Sequence, residues 1–545
     1  MDSKKYYLLF LMSILVLVLA GCGGDEGTEE ETGNADDPET TETEDSNGDV
    51  EDDSNGGAAN SGSSDDRTLT IALGTDMVSF DIHDHVNTST EAVHINMFNY
   101  LFKRDNDSGE IEPDLAEDYE VIDDTTWEIT LKEGVLFHNG DELTSNDVKY
   151  TLERVADDST LLEYINYEVI DEVEVIDDYT LRIHTETPDP ALLNRISRIG
   201  SGILPADYIE EEGFDHFLQN PIGTGPFQFV EWVRDDRVVF EVYEDYFEGQ
   251  NEEWDELVFR VIPENSTRVS ELLTGGVDIA TNMPPSEWDR IESSDSTYLA
   301  QEVSNRTMMV FVRHTEGYPT EDRRVREALD LAIDNQAITD NLLAGAGVPT
   351  ITRVAPGNFG FAEHLYETYN YDLERARELL DEAGYPDGFE MTLHSPRGRY
   401  LQDAEIAEMI AGMWSQIGVT ANVEFMEWSS FVDMRSAGEN EDAYILALGN
   451  SMFDAANALD WYNYERFEGE IDYHNEEVEA LLDEAAQNMD LEEREAQYIE
   501  AQELLAEDVA HPVLHQESIN IGVNENIEYQ PTMDEMIYVD TISRR

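Results

Sequence analysis

The chain of 545 residues carries 123 acidic against 31 basic residues, a formal net charge of −92 at pH 7 with histidine neutral. So acidic a chain lacks the basic footprint that binding to nucleic acid demands. Its single cysteine, Cys22, rules out internal disulfides and cysteine-clustered metal sites.

At the N-terminus Lys4–Lys5 precede an apolar stretch from Tyr6 to Ala20, followed by Gly21–Cys22. This is the layout of a secretory signal, and the run is short for a spanning helix of about 20 residues. Leu19-Ala20-Gly21-Cys22 resembles a lipobox, the cleavage motif of prokaryotic lipoproteins. On that reading residues 1–21 are a signal peptide, and lipidated Cys22 holds the protein at the outer face of the cell membrane, since two acyl chains anchor stably where one does not. The rival reading is an uncleaved anchor helix with an incidental cysteine. Residues 22–66 hold 17 acids and no Lys or Arg, a self-repelling tether that cannot bury a core.

Folded sequence is expected from Thr68. "LTIALG" (69–74), "TWEITLK" (126–132), "YTLRIHT" (179–185), "VVFEVY" (238–243) and "ELVFRVI" (256–262) read as short strands with turn formers between them. Phe137-His138-Asn139-Gly140 ends in an Asn-Gly turn, which gives His138 a structural task. In Gly223-Thr224-Gly225-Pro226 the glycines are free to take positive φ while the proline is fixed, which suits a stiff crossing turn. The second half turns helical at 372–384, with Asp372 as cap and Gly384 as stop, at 475–489, and at 490–509, where Asp-x-x-Glu is compatible with a capping box. Strands at 390–395, 419–428 and 442–449 alternate with those helices, which predicts an α/β arrangement with a largely parallel sheet.

Catalytic motifs are missing: there is no Gly-x-Ser-x-Gly elbow, His-Glu-x-x-His or Walker loop. His83 and His85 stand at strand spacing for a metal but read as two solvated loop histidines. Only 5 of the bases are lysine, and acids are spread along the whole chain. That pattern reads as adaptation to concentrated salt, where screening relieves self-repulsion.

Five segments in register are similar to the extracellular solute-binding proteins of family 5, the peptide, oligopeptide and nickel class of ABC importers. They are "GEIEPDLAEDYEVIDDTTWEITLKEGVLFHNGDELTSNDVKYTLERV" (109–155), "PIGTGPFQFVEW" (221–232), "DRRVREALDLAIDNQAI" (322–338), "LLDEAGYPDG" (379–388) and "GRYLQDAEIAEMIAGMWSQIGV" (398–419). The resemblance implies an α/β, two-lobed periplasmic-binding-protein-like fold of class II, a Venus-flytrap with an extra subdomain in the N-terminal lobe. Expected boundaries are 67–98, 222–310 and 515–545 for the lobe I core, 99–221 for the extra subdomain and 311–514 for lobe II, with a hinge near 305–315 and 510–520. It also implies a monomeric receptor rather than an enzyme, without cofactor or metal, that passes a peptide-like solute to an ABC permease.

In peptide binders of this family an acid from the second lobe meets the solute's ammonium, and the matching residue is Asp454 in "GNSMFDAANALDWY" (449–462). An arginine grips the carboxylate in dipeptide-binding relatives; "HSPRGRYLQD" (394–403) offers Arg399, preferred, and Arg397. Trp428, Trp461 and Tyr462 are candidates to line the cleft or to pack the core. The chain departs from the dipeptide and nickel pattern in lacking a Trp early in "ALGNSMFD". An oligosaccharide receptor of the same family and a surface-tethered hydrolase are the alternatives.

Overall fold

Leu69, Ile71 and Leu73 alternate along the strand Thr68–Leu73 and bury one face, while Ala72 joins the core on the other. Burial on both faces marks a central strand, and it pairs in parallel with Glu256–Val261 and Ile279–Ala280. The computed structural model describes residues 67–105, 109–464, 466–467 and 470–545; the expected signal peptide, Cys22 and the tether lie outside the described residues.

The sheet around this strand has eleven members. Its order runs Thr420–Met426, Glu390–Pro396, Ala443–Gly449, Thr297–Val312, Val513–Asn524, Ile279–Ala280, Thr68–Leu73, Glu256–Val261, Arg237–Val242, Phe227–Val233, with Val348–Pro349 pairing onto Val513–Asn524. Glu390–Pro396 is parallel to both its neighbours, as the strand–helix alternation predicts. Ala443–Gly449 then pairs antiparallel with Thr297–Val312, so the sheet as a whole is mixed rather than largely parallel.

Two long strands join the halves. Thr297–Val312 and Val513–Asn524 run antiparallel, with Ala300 and Ile521 in the N-terminal core and Met308–Val312 and Val513–Leu514 in the core of the helical half. Their register shifts between Val303 and Thr307, so residues 304–306 bulge at the crossing. A separate four-stranded antiparallel sheet, in the order Ala116–Asp123, Thr126–Leu131, Thr180–Thr185, Ile170–Asp177, has its own core beneath helix Ser145–Asp157. Thr144 and Asp147 form a reciprocal capping box at that helix. In the helical half, Asp372 accepts from the Glu374 and Arg375 N–H groups and Gly384 ends the helix at φ 97°.

The Gly-Thr-Gly-Pro segment corrects its sequence reading. Neither Gly223 nor Gly225 has a positive φ; both make room. A Cβ on Gly223 would lie 2.2 Å from the Met97 carbonyl oxygen, and one on Gly225 2.5 Å from the Met97 carbonyl carbon. His138 clamps the same segment: its Nδ1 accepts from the Gly223 N–H (3.2 Å) and its Nε2 donates to the Gly225 carbonyl (3.0 Å). Burial lowers this imidazole to about 4, so it stays neutral. Gly225→Ala is expected to destabilise the protein by about 1–3 kcal/mol through backbone overlap. Urea denaturation checks this, and an unchanged midpoint would refute it.

Candidate ligand-binding site

Asp454 follows the strand Ala443–Gly449 and caps the short helix Ala455–Leu459 by accepting from the Ala456 N–H (2.9 Å). It is 1% exposed. Arg494, from helix Leu491–Asp508, grips it with both Nη atoms at 2.7 and 2.8 Å, and Asn194 Nδ2 donates to it at 3.2 Å. The carboxylate is thus already neutralised and hydrogen-bonded. This corrects the expectation of an acid free to receive a solute ammonium: here Asp454 fixes a loop.

The loop it fixes closes a cavity of about 70 Å3. One wall is Gly449, Asn450, Ser451 and Phe453; the others come from residues 88–104, 197–199, the 305–306 bulge and 533–538. Contacts bridge the two sides. Arg198 Nε donates to Ser451 Oγ (2.7 Å), and Arg104 Nη2 to the Met452 carbonyl (3.2 Å). At the bulge, Asn305 Nδ2 donates to Asn358 Oδ1 (3.1 Å) and to the Asn450 carbonyl (2.5 Å), and Asn450 Nδ2 donates to Asn358 Oδ1 (2.7 Å).

Charge is distributed unevenly around this space. Arg198 pairs with buried Glu163 at 2.5 Å, and Arg306 with Glu535 at 3.0 Å. Among the described residues Arg104 hydrogen-bonds to the Gly109 and Met452 carbonyls, and it stacks over Phe453 at 4.4 Å. Asp534 accepts from Thr532 Oγ1, the Met536 N–H and Tyr538 OH. Among the described residues neither Arg104 nor Asp534 has an opposite charge within 4.0 Å. Burial lowers the Arg104 pKa and raises that of Asp534, the cost of holding each charge away from water.

Residues 110–469 match the model of the bacterial extracellular solute-binding proteins, family 5 (middle region). The chain belongs to this family. It is 28% identical over 451 residues to the glutathione-binding protein GsiB of Salmonella typhimurium, covering 81% of this chain and 87% of that protein. It is also 28% identical over 445 residues to heme-binding protein A of Haemophilus influenzae, covering 76% and 80%. Among solved structures, the periplasmic binding protein DppA of Helicobacter pylori in complex with the peptide STSA superposes with a TM-score of 0.77 at 24% identity, over 88% of this chain and 98% of that one. That likeness concerns the fold, which is the two-lobed α/β architecture of periplasmic binding proteins.

For a family 5 protein, several residues singled out in the sequence lie away from this cavity's lining. Arg397 is exposed over the Phe425 ring at 4.1 Å. Arg399 and Trp428 do come together, at 5.1 Å, beside Tyr400; the Arg399 Nε is buried without a hydrogen-bond partner. Arg399 also acts, after Arg306, on Glu517, whose carboxyl burial pushes up to about 7. Trp461 stacks on Phe467 at 4.8 Å and packs against the core. Tyr462 is buried and lines a second cavity of about 30 Å3 with Arg353 and His511. His83 and His85 are buried rather than solvated.

Sequence reasoning missed Arg104, Arg306 and Asp534, which lie hundreds of residues apart in the chain. The sequence held no signal for them: Phe102–Arg104 is a three-residue strand of which only Phe102 is buried.

Proposed function

We propose that this protein is the receptor of an ABC importer, that it captures a peptide-like, zwitterionic solute between its lobes, and that it hands the solute to the permease. The observation that supports this is a guanidinium, Arg104, and a carboxylate, Asp534, that face the same cavity and, among the described residues, make no direct ion pair, Arg104 feeling Asp454 and Asp534 only at longer range. A solute carboxylate on Arg104 and a solute ammonium on Asp534 offset both desolvation costs. Arg399 is a reserve contact that a longer solute reaches. Opening and closing pivot on the two long strands, with 67–98, 222–310 and 515–545 as the lobe I core, 99–221 as its extra subdomain and 311–514 as lobe II. Closure is population shift: solute binds the closed form better and so favours it. In keeping with the sequence, we propose a monomer tethered by a lipid on Cys22 to the outer face of the membrane, with an acid coat suited to concentrated salt.

The test is a thermal-unfolding scan in molar KCl with a pool of di- to pentapeptides. At 100 times Kd a bound peptide adds about 2.7 kcal/mol. Arg104→Gln is expected to weaken binding roughly 10- to 150-fold. Peptides with an amidated C-terminus should bind the parent protein about as weakly as free peptides bind the variant. No response to peptides, with a response to oligosaccharides, would keep the family and overturn the solute. A response that Arg104→Gln leaves unchanged would move the carboxylate contact elsewhere.

A further inference from the structure

Three buried side chains beside the cavity each turn one polar atom toward a single point. His85 lies in the loop entering the helix Thr88–His94, and Glu91 and His94 stand three residues apart on that helix, on one face. Their exposures are 2%, 2% and 1%. His85 Nε2 and His94 Nδ1 are each 3.8 Å from Glu91 Oε2, and the three atoms lie within 4.8 Å of one another. None of the three has a hydrogen-bond partner. A single buried polar atom left unpaired costs about 1–3 kcal/mol, so three that converge call for a shared partner.

The surroundings hold these atoms in place. His94 Nε2 donates to the Ser79 carbonyl at 2.8 Å, which leaves Nδ1 as a lone pair. The Tyr100 hydroxyl donates to Glu91 Oε1, which leaves Oε2 for the centre. Outer partners of this kind set the tautomer and aim of metal-ligating residues. Phe80 stacks on the His94 ring at 5.5 Å and Phe98 meets it edge-on at 5.8 Å, giving the cluster an apolar wall. His85 Nδ1 accepts from the Asn87 N–H over a long 3.3 Å; ligation through Nε2 moves the ring proton to Nδ1 and gives up that bond.

We propose that His85 Nε2, Glu91 Oε2 and His94 Nδ1 bind one divalent first-row transition-metal ion in the wall of the solute cavity. Two imidazoles and one carboxylate suit zinc, cobalt or nickel, whereas calcium and magnesium prefer oxygen ligands alone. Bonds of about 2.0–2.2 Å require the three side chains to draw together by roughly an ångström. Three protein ligands leave a coordination position open, and Glu91 also lines the cavity, so the ion abuts the space where solute is held. The competing account needs no ion: Glu91 keeps a proton, its carboxyl being pushed up to about 8 by burial.

The experiment uses the full chain, stripped with a chelator and held in molar KCl so that the acid coat is screened. It is titrated with Co2+ alone and followed by ligand-field absorption. One equivalent is expected to bind with the spectrum of a mixed nitrogen–oxygen site, to be displaced by Zn2+, and to weaken at least tenfold in each of His85→Gln, Glu91→Gln and His94→Gln. Absence of a saturable one-equivalent site in the parent protein overturns the proposal, whatever the variants do. So does a site that survives all three substitutions. The probe is the ion itself, so the result stands apart from whether peptides bind.

Discussion

Asp454→Ala is expected to cost about 3–5 kcal/mol of folding stability, the penalty for removing one partner of a buried ion pair. The side chains of Asp454 and Arg494 are 2% and 1% exposed. Without the carboxylate, the Arg494 guanidinium stays enclosed against the Phe359 and Tyr498 rings, at 4.5 and 5.0 Å, with its charge unanswered. Arg494→Met should cost a similar amount. The double variant Asp454→Leu/Arg494→Met should cost less than the two single losses added, because no orphaned charge remains. Denaturant midpoints of the four proteins measure the coupling. A single variant of normal stability that nevertheless fails to bind solute would return Asp454 to the role of ammonium anchor.

Stability should also climb steeply with salt. Between 0.01 and 1 M the screening length shrinks from about 30 to about 3 Å, which removes most of the repulsion among 123 acids opposed by 31 bases. The gain in unfolding free energy across that range should exceed the about 2.7 kcal/mol that a ligand at 100 times Kd provides. KCl and NaCl should act alike where screening is the cause, and an uncharged osmolyte should not reproduce the gain. A flat response would mean that the acids are spaced or paired well enough to need no salt, and would remove the ground for reading the coat as an adaptation.

Local structure was legible wherever one side chain decides it. Asp372 and Gly384 bracket their helix as read, and the helix expected over 475–489 forms at Glu476–Gln487. The strands near 69–74, 126–132, 179–185, 238–243 and 256–262 all form within a residue or so of their expected bounds. The purpose of Gly223 and Gly225 was not legible, because it lies in how closely Met97 approaches from another part of the chain. The site was read least well for the same reason. A lone sequence presents Asp454 as one acid among 123 and gives no sign that Arg494, forty residues on, already holds it. Nor can it bring Arg104 and Asp534 to one wall, since their meeting depends on the C-terminal segment folding back onto the first lobe.

The asparagine cluster at the strand crossing answers to salt differently from the ion pairs around it. Asn305, Asn358 and Asn450 meet there through amide hydrogen bonds, and all three are buried. Amide dipoles neither titrate nor draw a counterion cloud, so their strength changes little as ions are added or withdrawn. These amide contacts are therefore the part of the crossing least affected by electrolyte, in contrast to the neighbouring Arg306–Glu535 ion pair. Amide contacts at this crossing can keep nearly the same strength while repulsion among the chain's charges rises or falls with salt.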